Sequence, residues 1–380
     1  MPQMYALTTA QSRFEAARKL DGLPSGLSAR QLHGHGFIAT VQASMPAHAT
    51  PYPGAQASAL LSRLSGCVQE LDYSDLNLRL PYPDDINLAQ WTRRKLALDE
   101  TALVGIQSTP DKGVAVQPDG SQSVWRRYRF RAAHQLPNVA PGHKCGRMHG
   151  HGFQVILHAQ CTEAADVAYD LLDSIWEPFR AQLDHRCLNH IEGLSNPTSE
   201  MLSAWLWHRI KPGFAALRWV TVYETASCGA QYDGERYQIW KDFSIDSAIR
   251  MSQAPLDDPR HMIHGDTFLL RLHLSADLDK LMGWTVDFGD VKTAFNPIFK
   301  MLDHRPLYEQ QAFADGDAQA IARWTLETAR INLPQLVRVD VIDSAGAGAM
   351  VFQGQQSASS GLHTDRNHLA ASYLAPPLPA

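Results

Sequence analysis

The sequence predicts an α+β protein of three tandem modules, each running through two strands, two helices and two further strands around an antiparallel sheet. Three recurring landmarks predict it. A histidine-centred segment occurs as Gln31-Leu-His-Gly-His-Gly-Phe37, Arg147-Met-His-Gly-His-Gly-Phe153 and Met262-Ile-His-Gly-Asp-Thr-Phe268, at intervals of about 115 residues. Each is followed by a second landmark, Leu71-Asp-Tyr73, Leu183-Asp-His185 and Leu302-Asp-His304. A third then closes the unit: Gly105-Ile-Gln-Ser108, Val222-Tyr-Glu-Thr225 and Val341-Ile-Asp-Ser344. The modules fall at residues 1–118, 119–240 and 241–355, and residues 356–380, rich in Ser, Ala and Pro, read as a loosely ordered tail.

The middle module displays the elements most clearly. Residues 125–136 and 152–159 carry strand-type alternation, with Phe153, Val155 and Leu157 on one face. Residues 167–182 space Leu171, Leu172, Ile175, Trp176 and Phe179 as one helical face. Asn196 and Pro197 supply an N-cap and a first-turn proline for a second helix through Ile210. Residues 218–224 and 236–241 return to strand-like sequence.

Composition bounds the partners. The 380 residues are 44% hydrophobic and 19% charged, with 34 Lys+Arg against 39 Asp+Glu and a formal net charge of −5. This is ordinary globular material without the basic excess that draws a protein to nucleic acid or anionic lipid. No apolar stretch approaches a membrane span and residues 1–20 are not secretory in character, so the expected location is the cytoplasm. Five cysteines without a CxxC pair indicate neither a disulfide framework nor a four-cysteine zinc site. Cys67, Cys161, Cys187 and Cys228 read as packing.

Reactive side chains concentrate in the middle module: His134, Cys145, His149, His151, Asp184, His185 and Glu224. On a strand, positions i and i+2 share a face, so His149 and His151 present both imidazoles to one ion, and His134 would join from the adjacent strand. Three neutral imidazoles make a zinc site with one coordination position open, the catalytic pattern. His-x-His alone is weak evidence; its surroundings add to it.

Phe130-Arg-Ala-Ala-His-Gln-Leu136, Cys145-Gly-Arg-Met-His-Gly-His151, Leu183-Asp-His-Arg-Cys-Leu-Asn189, Asn196-Pro-Thr-Ser-Glu200 and Tyr223-Glu-Thr-Ala226 together resemble the 6-pyruvoyltetrahydropterin synthase family in order, spacing and identity. The short interval from Cys145 to His149 resembles its 6-carboxytetrahydropterin synthase branch, of the queuosine pathway. The resemblance implies a tunnelling fold whose three modules close one pseudo-trimeric, twelve-stranded barrel with helices outside, and a homodimer of such barrels. The small-molecule substrate it implies is 7,8-dihydroneopterin triphosphate, with 6-carboxy-5,6,7,8-tetrahydropterin, acetaldehyde and triphosphate as products. It makes His134, His149 and His151 the zinc ligands, Cys145 the base, Asp184-His185 a proton relay and Glu224 the pterin anchor and a member of that relay. Zinc, Lys144 and Arg147 would lower the Cys145 thiol pKa toward neutrality. Basic candidates for the triphosphate are Arg126, Arg127, Lys144 and Arg147. Alternatives are 6-pyruvoyl formation, another lyase reaction on the dihydroneopterin side chain, and a non-catalytic pterin-binding or regulatory protein.

The outer modules have lost parts of the set. Aligned on His33, the first module has Arg18 for His134, Ala29 for Cys145, Tyr73 for His185 and Gln107 for Glu224. The third has Arg260 at the cysteine position and Asp266 for His151, yet keeps Asp303-His304, Asp343 at the glutamate position and the family-like segment Val286-Asp-Phe-Gly-Asp-Val291, which stands as Val167-Ala-Tyr-Asp-Leu-Leu172 in the middle module. One active site per chain follows, with Asp303-His304 the second candidate for its relay.

Overall fold

The computed structural model describes residues 3–23, 28–46, 48, 50–98, 103–313 and 317–353. The tail expected at residues 356–380 lies outside them. The first module holds β1 (Met4–Arg18), β2 (His33–Ala43), α1 (Gln56–Gln69), β3 (Ser74–Asp75), α2 (Asp85–Leu96), β4 (Leu103–Thr109) and β5 (Lys112–Val116). The second repeats this as β6 (Gln122–His134), β7 (His149–Gln160), α3 (Ala165–Leu183), β8 (Arg186–Cys187), α4 (Ser199–Ile210), β9 (Leu217–Thr225) and β10 (Cys228–Tyr232). The third comprises β11 (Tyr237–Ile249), β12 (His264–Ser275), α5 (Phe288–Leu302), α6 (Ala318–Ala329), β13 (Leu336–Ile342) and β14 (Ala347–Gln353).

Two expected boundaries move. Residues 236–241 open β11, and the strand that closes the second module is β10. The N-cap of α4 is Thr198, whose side chain accepts from Met201 N–H, while Asn196, two residues earlier, donates its Nδ2 to the Met282 carbonyl at 2.6 Å.

Apart from the two-residue β3 and β8, the strands form one antiparallel sheet of twelve. It closes where Met4–Ala10 of β1 pairs with Ala347–Gln353 of β14. The same kind of joint links the modules: β5 pairs with β6 and β10 with β11. Closure leaves no free edge for another polypeptide to extend. Glycine permits the close approach at one joint, since a Cβ on Gly229 would lie 2.3 Å from the Val222 carbonyl and 2.6 Å from the Trp240 ring.

Alternation along each strand sorts the side chains. On β6, Phe130 packs towards α3, its ring 6.2 Å from Trp176, while Trp125 turns to the opposite face and clusters with Ile156, Tyr223 and Trp240. The helices thus cover an apolar outer face, and the interior also holds ion pairs such as Arg271–Asp242 and the Arg338–Asp340–His273 group. At one end the paired strands β6/β7 and β11/β12 run on past the short β9/β10 turn, and the predicted reactive residues lie there. Among the described residues, no helix is long and apolar enough to cross a membrane.

Candidate active site

β6 ends and β7 begins at the site: His134 pairs with His149, and Ala132 with His151. The register brings the three imidazoles together, with ring centroids 4.5 Å (His134–His149), 5.2 Å (His134–His151) and 5.0 Å (His149–His151) apart. Two rings are held by the backbone. His134 Nδ1 lies 3.0 Å from the Pro197 carbonyl and His149 Nδ1 2.7 Å from that of Arg147. Donation from Nδ1 leaves each Nε2 as a lone pair, the usual way a protein orients a metal-binding histidine.

Glu224 completes the group from β9. It is the extra residue of a β-bulge, since Tyr223 pairs with Gly229 and Thr225 with Cys228, and such a bulge re-aims a side chain. Its Oε1 approaches His151 Nε2 at 3.3 Å and His134 Nε2 at 3.8 Å, while Oε2 accepts from Ser199 Oγ at 3.0 Å. Ligand atoms of His134, His149, His151 and Glu224 all lie within 4.8 Å of one another. The Nε2 atoms of His134 and His151 are buried without a hydrogen-bond partner, a state that costs about 1–3 kcal/mol per group when left uncompensated. Convergent lone pairs beside a carboxylate fit a divalent cation. The electrostatics agree: burial lowers the His134 pKa, favouring the neutral, metal-binding imidazole. For Glu224, burial opposes the charge, but His151, His134 and Ser199 outweigh it and hold the carboxyl below its ordinary range.

His149, His151 and Glu224 line a cavity of about 770 Å³ shared by the second and third modules, with His134 buried behind them. Cys145, on a tight turn at residues 144–146, lines it. The expected lowering of its pKa does not come from the protein itself. Burial and then Glu224 raise the thiol, Lys144 works against them, and Asp287 adds to the rise. Cys228, expected to serve in packing alone, also lines the cavity, its Sγ 3.0 Å from Thr225 Oγ1.

The cavity's other wall comes from residues that no motif of the second module marks. Asn196 and Thr198 donate to the carbonyls of Met282 and Gly283, and Glu200 accepts from Thr285 N–H at 2.9 Å. These bonds lay residues 282–285 against the start of α4, which brings Trp284, Phe288 and Lys292 of the third module to the cavity. The retained segment Val286–Val291 was the available signal.

Neither Asp-His pair lines the cavity. Both histidines follow a helix in left-handed backbone, with φ of 57° at His185 and 55° at His304, and both are exposed. The Asp184 carboxylate accepts from Arg131 N–H, on the edge of β6 that faces the first module. That of Asp303 accepts from Asp246 N–H, on the edge of β11 that faces the second module.

The outer counterparts are closed. Arg18 stands opposite His33 as His134 does opposite His149, and its buried guanidinium bonds Asp85 at 2.7 Å and the Pro83 carbonyl at 2.9 Å. Tyr169 of the second module bonds the same Asp85 at 2.8 Å. The bulged residue matching Glu224 is Ser108, not Gln107 as expected, and it donates to Asp85. In the third module Arg260 pairs with Asp258, and Tyr52 of the first module donates to that carboxylate at 3.3 Å.

The model of the 6-pyruvoyl tetrahydropterin synthase family matches residues 123–235 and 238–354, together more than half of the chain. The chain belongs to that family. A 6-carboxy-5,6,7,8-tetrahydropterin synthase from Synechocystis is 32% identical over 123 residues, 30% of this chain and 94% of that protein. A dihydroneopterin monophosphate aldolase from Pyrococcus furiosus is 25% identical over 112 residues, 28% of this chain and 96% of that protein. Among solved structures, the Caenorhabditis elegans 6-pyruvoyl tetrahydropterin synthase is similar over 31% of this chain and 95% of that one, at 16% identity and a TM-score of 0.28.

Proposed function

We propose that this member of the family is a zinc-dependent lyase of the pterin side chain, with one active site per chain, in the second module. Its reaction converts 7,8-dihydroneopterin triphosphate and one water to 6-carboxy-5,6,7,8-tetrahydropterin, acetaldehyde and triphosphate, in the cytoplasm and in queuosine biosynthesis. The observation that carries this reading is the convergence of His134, His149, His151 and Glu224 on one point of a cavity that Cys145 also lines.

His134, His149 and His151 would hold zinc, a donor set that suits this metal. When bound, the ion polarises a substrate hydroxyl oxygen and brings the positive charge that lowers the thiol pKa. Cys145 is the base that takes a carbon-bound proton from the substrate. The Glu224 carboxylate receives the pterin N–H edge, and Ser199 orients it. For the relay, the strand edges favour Asp303-His304 over Asp184-His185, because β11 borders the cavity whereas the first pair faces the closed first module. We further propose a homodimer. Leu32, Met148 and Ile263 are exposed at equivalent places, each just before the first histidine of its module.

Mass spectrometry after incubation with 7,8-dihydroneopterin triphosphate tests the reaction: 6-carboxytetrahydropterin and acetaldehyde are expected. A 6-pyruvoyl product or a cleaved but unoxidised pterin would assign a sister reaction, and no turnover by metal-loaded protein would favour a binding role. Alanine at His304 or at His185, one at a time, identifies the relay; full activity in both variants would remove it.

A further inference from the structure

The third module carries Ile249 at the His134 position and Asp266 at the His151 position, yet two of its lysines face the second module's cavity. Lys241 on β11 and Lys292 on α5 line it together with Lys144 and Arg147. Among the described residues none of the four enters an ion pair, and Lys241 Nζ only donates to Ser227 Oγ at 2.8 Å. The cavity's carboxylates are committed elsewhere. Glu224 faces the histidines, Glu200 accepts from Thr285, and Asp287 caps α5 through Gly289 N–H and lies 3.6 Å from His143 Nε2.

The other modules show what these two positions ordinarily hold. Lys241 lies eight residues before Ile249 as Arg126 lies before His134, and Lys292 lies eleven before Asp303 as Asp173 lies before Asp184. In the second module Arg126 and Asp173 neutralise each other in a two-point ion pair at 2.7 and 2.9 Å. In the first, the same positions are Ala10 and Leu61, both apolar. Only the third module sets two cations where its neighbour sets a cation and an anion. Like charges so placed repel unless an anion lies between them.

We infer that Lys241 and Lys292 bind the phosphate groups of the substrate, so that the third module supplies the specificity of the second module's active site for a polyphosphate ester. This rests on the pterin reading for the rest of the substrate, whereas the anion site stands on the two lysines. With the metal end fixed by the histidines, Lys144 and Arg147 flank the same opening and add to the attraction. The Arg126 and Arg127 named from sequence are removed from this role, since Arg126 is paired with Asp173 and Arg127 is buried.

Lys292→Asp rebuilds on the third module the pairing seen between Arg126 and Asp173, so the variant should fold. The KM for dihydroneopterin triphosphate should rise about tenfold or more, as expected for loss of a charge-assisted phosphate contact. The inhibition constant of the dephosphorylated pterin, which lacks the triphosphate leaving group and serves as a competitor, should stay within about twofold. Equal effects on both ligands, or none on either, would overturn the inference. If the wild-type protein does not turn over the triphosphate, the pterin reading fails and calorimetry with inorganic tripolyphosphate still decides the anion site. Binding by wild type that weakens in Lys241→Gln and Lys292→Asp supports it; no binding, or equal binding by all three, refutes it.

Discussion

At Arg18, opposite His33, a guanidinium takes the place of an imidazole, and the acid that accompanies it has changed sides. The second module sets Ser199 beside Glu224, whereas the first sets Asp85 beside Ser108. The exchange replaces the imidazole with a buried Arg18–Asp85 ion pair, with Tyr169 of the second module as an added donor. His35 is then left beside a permanent cation, and burial with Arg18 lowers its pKa to about 4. Arg18→Met should destabilise the protein by about 3–5 kcal/mol, because Asp85 would stay buried and unpaired, while Arg18→Met with Asp85→Leu should recover most of that loss. Denaturant unfolding measures both; equal losses in the single and double variants would contradict the pairing. At this scale the sequence was informative where chemistry is local. The His-x-His pairs and Cys145 stood out by type and spacing. Ser108 was misaligned by one residue because a bulge changes register without leaving a mark in composition.

The element that most shapes the cavity is the start of α4. Pro197 presents its carbonyl to His134, Thr198 caps the helix, and Asn196, Thr198 and Glu200 each bond the segment 282–285 of the next module. Strand and helix patterns located α4 well but not its cap. The cap is chosen by cross-module bonds that bring together residues far apart in sequence, which local propensity does not encode. Glu200 carries a readable signature of this arrangement. Burial raises its carboxyl from 4.5 to about 7, against the hydrogen bond from Thr285. The folded state therefore holds the proton more tightly than the unfolded one, so this group's contribution to stability is full below pH 4.5 and is lost as pH rises to about 7. Glu200→Gln should flatten the fall in unfolding free energy across that window; an unchanged slope would place the titration elsewhere.

On the scale of the whole molecule, the repeat arithmetic already implied three modules, and the family resemblance implied their closure; the β1–β14 seam completes the barrel. What stayed illegible was which module faces which. Each module sends a side chain to the site position of the one before it. Tyr169 seals the first, Tyr52 seals the third, and Trp284 with Phe288 leaves the second open. The uneven losses among the modules thus become matched halves of three interfaces. The proposed homodimer would use the end where Leu32, Met148 and Ile263 are exposed, so light scattering should return twice the mass of one chain, and charged substitutions at Met148 and Ile263 should halve it. A single metal-dependent site per chain is read out by elemental analysis of the purified protein. One zinc per chain is expected, lost in His149→Ala and retained in His33→Ala. Two or three ions per chain, or zinc that survives His149→Ala, would contradict it.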